Sequence, residues 1–159
     1  MQIKLREKVD IDMPIVVAEK ARDYFILGYH CSESMIKAFN EEYNLKFTPK
    51  MIRMATGLGG GLGKAKCSCG VLTTGAIILS SFYGRVDLRK DDTLAFDLSK
   101  ELHDRFKEKF KVTCCRGLTK NIKWGHPDHV ENCSKYVYEA SIILKDILDR
   151  SLKSFGRKI

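Results

Sequence analysis

Residues 91–110 read DDTLAFDLSKELHDRFKEKF, and Leu94, Leu98, Leu102, Phe106 and Phe110 recur at every fourth position. A step of four returns side chains to one face of an α-helix, whereas a half-buried strand would alternate every second residue. Acids open the stretch and bases close it, matching the positive and negative ends of the helix dipole. The segment therefore predicts an amphipathic helix whose apolar stripe needs other helices to cover it.

Flanking segments repeat the pattern. After WGHPDH, where Pro127 primes a helix start, Val130, Cys133, Val137, Ala140, Leu144 and Ile147 form one stripe. Upstream, Cys69, Leu72, Ala76, Leu79 and Tyr83 step by three and four and stop near Gly84, placing Cys69 in a first helical turn. From Val16 to about Asn44 the sequence predicts one long helix, with Val17, Ala21, Tyr24, Gly28, Cys31, Met35 and Ala38 on its inward face. Thr48 and Pro49 open a short helix that ends at Gly57. Period-two alternation is not evident. The expectation is an all-α, single-domain helical bundle of about five helices with a glycine-rich connecting loop. It spans residues 1–159, with a core at 15–153 and frayed termini.

Composition narrows the functional classes. Apolar residues make up 44% and charged residues 30%, as in ordinary globular chains, and no apolar run approaches the ~20 residues of a membrane span. The opening MQIKLREKVDIDMP lacks the apolar core of a signal peptide, so the expected location is cytoplasmic, where thiols stay reduced. The net charge of +8 is spread over nearly every segment. It suits a solvated basic surface, or attraction to an acidic redox partner protein or an anionic substrate, and no nucleic-acid motif accompanies it.

The loop GLGGGLGKAKCSCG, residues 57–70, tests two phosphate-binding patterns and fails both. A P-loop needs Gly at position 58 and Ser or Thr at 65, where the chain has leucine and alanine. The dinucleotide fingerprint needs a third glycine where Leu62 stands. The glycines are better read as letting the backbone turn sharply ahead of Cys67 and Cys69.

Six cysteines, Cys31, Cys67, Cys69, Cys114, Cys115 and Cys133, occur as two isolated residues, one C-x-C and one C-C. Neither local pair has the C-x₂₋₄-C spacing that presents two sulfurs to one zinc ion, and no C-x-x-C-H exists for covalent haem. Cys31, Cys69, Cys115 and Cys133 instead come from separate helices or helix-linking turns, so a bundle can gather them into one thiolate site. Soft thiolates suit iron–sulfur clusters, and first-turn positions with Lys64, Lys66 and Arg116 nearby favour a negative sulfur. His129, one turn before Cys133, and His30, beside Cys31, read as caps or surface residues, or else as ligands or proton carriers.

Together these residues resemble the C_GCAxxG_C_C family of redox-active proteins, marked by four separated cysteines with the second in a C-G-A-x-x-G element after a glycine-rich turn. Cys31 matches the first cysteine, CGVLTTG at 69–75 the central element, Cys115 in CRGL the third, and Cys133 the fourth. Val71 replaces the alanine, five residues rather than four separate Cys69 from Gly75, and Cys67 and Cys114 are additional. The resemblance implies cysteine-based redox function, and related domains occur with haem or iron–sulfur modules. The expected activity is electron transfer through an iron–sulfur cluster held by Cys31, Cys69, Cys115 and Cys133, with Cys67 and Cys114 as auxiliary ligands. A cluster-free thiol–disulfide oxidoreductase using the same sulfurs is the alternative. Enzyme or electron carrier, and monomer or homo-oligomer, both fit these residues.

Overall fold

A computed structural model describes residues 16–157, and the expectation of frayed ends falls mostly on residues 1–15, outside the described residues. The chain is all-α, as its periodicity predicts, with more helical pieces than the five anticipated: α1 (16–26), α2 (Cys31–Tyr43), α3 (Pro49–Arg53), α4 (Gly59–Leu62), α5 (Gly70–Tyr83), α6 (Thr93–Phe110), α7 (Cys115–Leu118) and α8 (Pro127–Phe155). Among the described residues no helix is long and apolar enough to cross a membrane.

The stripe that predicted α6 is the one it buries. Leu98, Leu102 and Phe106 are almost fully covered, against α5 and α8, while α2 closes the bundle on α5 and α8. Removing water from these apolar side chains stabilises the bundle by roughly 1.5–3 kcal/mol each. The acids at the head of α6 do not sit in its first turn: Asp91 accepts hydrogen bonds from the Thr93 amide and hydroxyl, and Asp92 pairs with Arg85 at 2.9 Å.

The first long helix is broken. The chain leaves α1, turns through residues 27–30, and restarts at Cys31. The restart is set by a reciprocal cap: Glu33 accepts from the His30 amide at 2.9 Å and from the Thr56 hydroxyl at 2.6 Å, and the His30 carbonyl accepts from Ser34. These bonds outweigh the effect of burial and hold the Glu33 carboxyl below its usual range. Replacing Glu33 with alanine should cost about 1 kcal/mol in urea denaturation, since one N-terminal amide loses its acceptor. The break moves Cys31 from mid-helix to a helix N-terminus.

Far from that end, Tyr83 donates to the Ser151 hydroxyl at 2.9 Å inside the core. Tyr83→Phe should lower thermal stability by about 1 kcal/mol, the net worth of one such bond, because Ser151 keeps its bond to the Leu148 carbonyl.

Candidate functional site

Three local structures aim cysteines at one space. Cys31 opens α2. Cys69 is the residue from which α5 starts, and Cys115 opens α7. The segments carrying the latter two are tied by an isolated antiparallel bridge between Ser68 and Cys114, flanked by Cys69 N–H to Thr113 O at 2.9 Å and Cys115 N–H to Cys67 O at 2.6 Å. This short pairing buries Cys69 and Cys115 and leaves Cys67 and Cys114 exposed. Cys133 arrives from the second turn of α8, partly buried.

The glycine loop makes the approach close enough. Gly61 has φ +67°, and a Cβ there would lie 2.7 Å from the Cys67 amide nitrogen and 2.8 Å from Cys115 Cβ. A Cβ on Gly70 would lie 2.7 Å from Cys31 Sγ and 2.9 Å from the Leu58 carbonyl oxygen. Only hydrogen fits at either place.

Cys31, Cys69, Cys115 and Cys133 all line one cavity of about 170 Å³. Cys67 and Cys114, anticipated as auxiliary ligands, are not among its walls. The remaining lining is largely apolar and includes Phe25, Val71, Leu118, Trp124 and Tyr136. His30 and His129 also line it. His129 is buried, its ring 4.3 Å from that of Trp124, and burial together with Lys66 holds its pKa below the usual value. Among the described residues, no group of three or more His, Cys, Asp or Glu side chains could hold a metal ion, so the sulfurs border a shared space instead of meeting at one point.

The four thiols are not equivalent. Cys31 is drawn down to about 7 by a hydrogen bond from Cys69, helped by the backbone amides of Gly60, Ser32 and Gly70, against the opposing effect of burial. Cys69 moves the other way, because it serves as donor to Cys31 and is itself buried. Burial raises Cys115, and burial with the charges of Cys31 and Cys115 pushes Cys133 up to about 12. Cys31 is thus the sulfur most favoured as a thiolate, with Cys69 as its donor, while Cys115 and Cys133 on the same cavity are favoured as thiols.

Periodicity did not reveal Phe25, Leu118, Trp124 or Tyr136 as cavity walls. Trp124 carried the one readable signal, a lone tryptophan directly before a proline-primed helix start. His30 and His129 were visible only by their closeness to cysteines in the chain.

Fold and site together define a helical protein built around a four-cysteine cavity. The chain belongs to the family described as "Putative redox-active protein (C_GCAxxG_C_C)", whose model matches residues 29–147. No curated protein and no solved structure matches it.

Proposed function

We propose that this chain is a cysteine-based redox protein, one domain over residues 1–159 with its core at 15–153, whose centre is an iron–sulfur cluster held by Cys31, Cys69, Cys115 and Cys133. The observation that carries this reading is that four sulfurs from four separate elements border one apolar cavity. The donor set fits the group: cysteine thiolates are the usual ligands of such clusters, and a cluster's separate irons suit sulfurs spread around a space better than sulfurs converging on one ion. When bound, the cluster would supply one-electron chemistry. The protein's own contributions follow from its residues. The Gly60, Ser32 and Gly70 amides hold charge on the Cys31 sulfur, while Phe25, Trp124 and Tyr136 limit water around the centre. Hydrogen bonds to sulfur and low solvent exposure are the levers by which a protein sets the potential of such a site.

A second reading draws on the Cys31–Cys69 contact. Without a cluster, the Cys31 thiolate would attack a substrate disulfide, expelling one half as a thiolate and leaving a mixed disulfide. Cys69 would then lose its proton and attack the Cys31 sulfur, releasing the second half. Two protein thiols end as one disulfide, and the substrate disulfide takes up two electrons. The low pKa of Cys31 favours this scheme.

Anaerobic purification with assays of iron and acid-labile sulfide separates the two. Iron and sulfide in equal amounts, with visible absorption that bleaches on reduction, are the expected result. A colourless protein in which Cys31 and Cys69 titrate as one reversible dithiol would replace the first reading with the second.

A further inference from the structure

Acids are distributed unevenly along the chain. Residues 43–86 and 109–127 contain no Asp or Glu. These two segments supply the glycine loop, the Ser68–Cys114 bridge and the wall from Leu118 to Trp124, so they frame the cavity. Five of their bases touch, act on or directly adjoin residues of its wall. Lys64 lies over the Trp124 ring at 5.4 Å, and Lys66 accepts the Arg116 amide at its carbonyl oxygen, 3.0 Å away. Arg116 adjoins Cys115, Lys120 follows Thr119 of the cavity wall, and Lys123 precedes Trp124. All but Lys66 are exposed.

None of the five takes part in an ion pair among the described residues, whereas Lys100, Arg105, Lys109, Lys145 and Arg150 on α6 and α8 all do. The acids within two residues of the cavity wall are Asp23, paired with Arg22, Glu33, bonded to the His30 amide and the Thr56 hydroxyl, Asp128, beside His126 at 3.3 Å, and Glu131, paired with Lys135. The two acid-free segments therefore give their side of the cavity a surplus of positive charge, clustered beside the opening, whereas unpaired bases elsewhere, such as Lys107 and Lys153, lie on helices that also carry acids. A field of one sign around a cleft steers an oppositely charged partner and orients it.

We propose that this rim is the docking face for an acidic protein that exchanges electrons with the cavity. The inference rests on the reading of the cavity as a redox centre. A partner seated there brings its own redox group over Trp124 and the sulfurs, which a nucleic acid cannot do. A small anion would need one or two of these bases, not five spread over two segments.

Trp124 is the single tryptophan, so its fluorescence reports occupancy of the rim. With poly-L-glutamate as probe, binding should be seen at low salt and weaken at least tenfold between about 20 and 200 mM. The variant K64E/K66E/K120E/K123E should bind at least tenfold more weakly. A milder K120Q/K123Q variant keeps the test valid if the first does not fold. The distant control K107E/K153E should bind as the wild type does. Absence of binding at low salt, equal loss in the control, or tighter binding of an oligonucleotide of equal charge would overturn the proposal.

A redox arm separates this inference from the one beneath it. Oxidation of the reduced protein by hexacyanoferrate(III) should slow in the charge-reversed variant, and oxidation by the cationic tris(phenanthroline)cobalt(III) should quicken. Reaction with both oxidants at rates indifferent to rim charge would end the docking proposal and leave the redox centre standing. Poly-L-glutamate binding by a protein that neither oxidant touches would end the redox reading while the acidic-protein face survives.

Discussion

Cys31→Ser should abolish the redox response proposed for the cavity. Serine keeps the shape and the amide contacts but removes the one sulfur stabilised as a thiolate at neutral pH. Under the cluster reading, the variant should retain little iron and sulfide. Under the dithiol reading, diamide treatment followed by non-reducing peptide mapping should show no Cys69 disulfide. Full cluster content together with unchanged reversible oxidation would remove Cys31 from the centre. The pH dependence carries the sign of the same argument. Only the thiolate alkylates, so labelling of Cys31 by iodoacetamide in metal-free protein should rise with pH through a midpoint near 7. At pH 7 about half of Cys31 is thiolate, against roughly 1% of a thiol titrating near 9, a gain of about 50-fold. The lower basicity of the sulfur takes back a factor of about eight, so the net gain over an ordinary thiol is roughly five- to tenfold. Cys69→Ala, which removes the largest stabilising hydrogen bond, should move the midpoint up toward 9.

Gly61→Ala should have the largest effect on stability among the loop substitutions, about 2–4 kcal/mol in urea denaturation. Two costs combine. Alanine is strained at φ +67°, and its Cβ meets the Cys67 backbone and Cys115 Cβ at under 3 Å. Backbone cannot swing aside as a long side chain can, so the Cys67–Cys115 pairing must open. Gly63→Ala isolates the first cost: Gly63 has φ +57° but nothing within 4 Å of its Cβ, and about 1 kcal/mol is expected there. Equal losses at both positions would show that steric contact with the bridge contributes nothing. Because that bridge places Cys69 and Cys115, Gly61→Ala should also lower iron and sulfide content in the folded fraction, and Gly63→Ala should not.

The long helices were legible because each carries one apolar stripe over at least three turns. The head of the chain misled for the same reason. Tyr24, Gly28, Cys31 and Met35 keep helical spacing across a turn, so periodicity reads straight through a break set by the Glu33 bonds to His30 and Thr56. Thr56 lies 23 residues from Glu33 and no local pattern announces their contact. The choice among cysteines was likewise only partly visible. Spacing cannot say that Ser68 pairs with Cys114, and it is this pairing that leaves Cys69 and Cys115 buried while Cys67 and Cys114 face solvent.

By itself the order of residues determined the helical class, because hydrophobic period is a local property that any covering surface will satisfy. It also placed Cys31, Cys69, Cys115 and Cys133 on separate elements, which is what a shared thiol site requires. Only the tertiary structure decided that these four share a cavity, that Cys31 is the sulfur whose pKa is drawn down, and that the two acid-free segments meet beside the cavity. Those outcomes depend on distances between segments far apart in the chain, and such distances are set by packing rather than by neighbours in sequence.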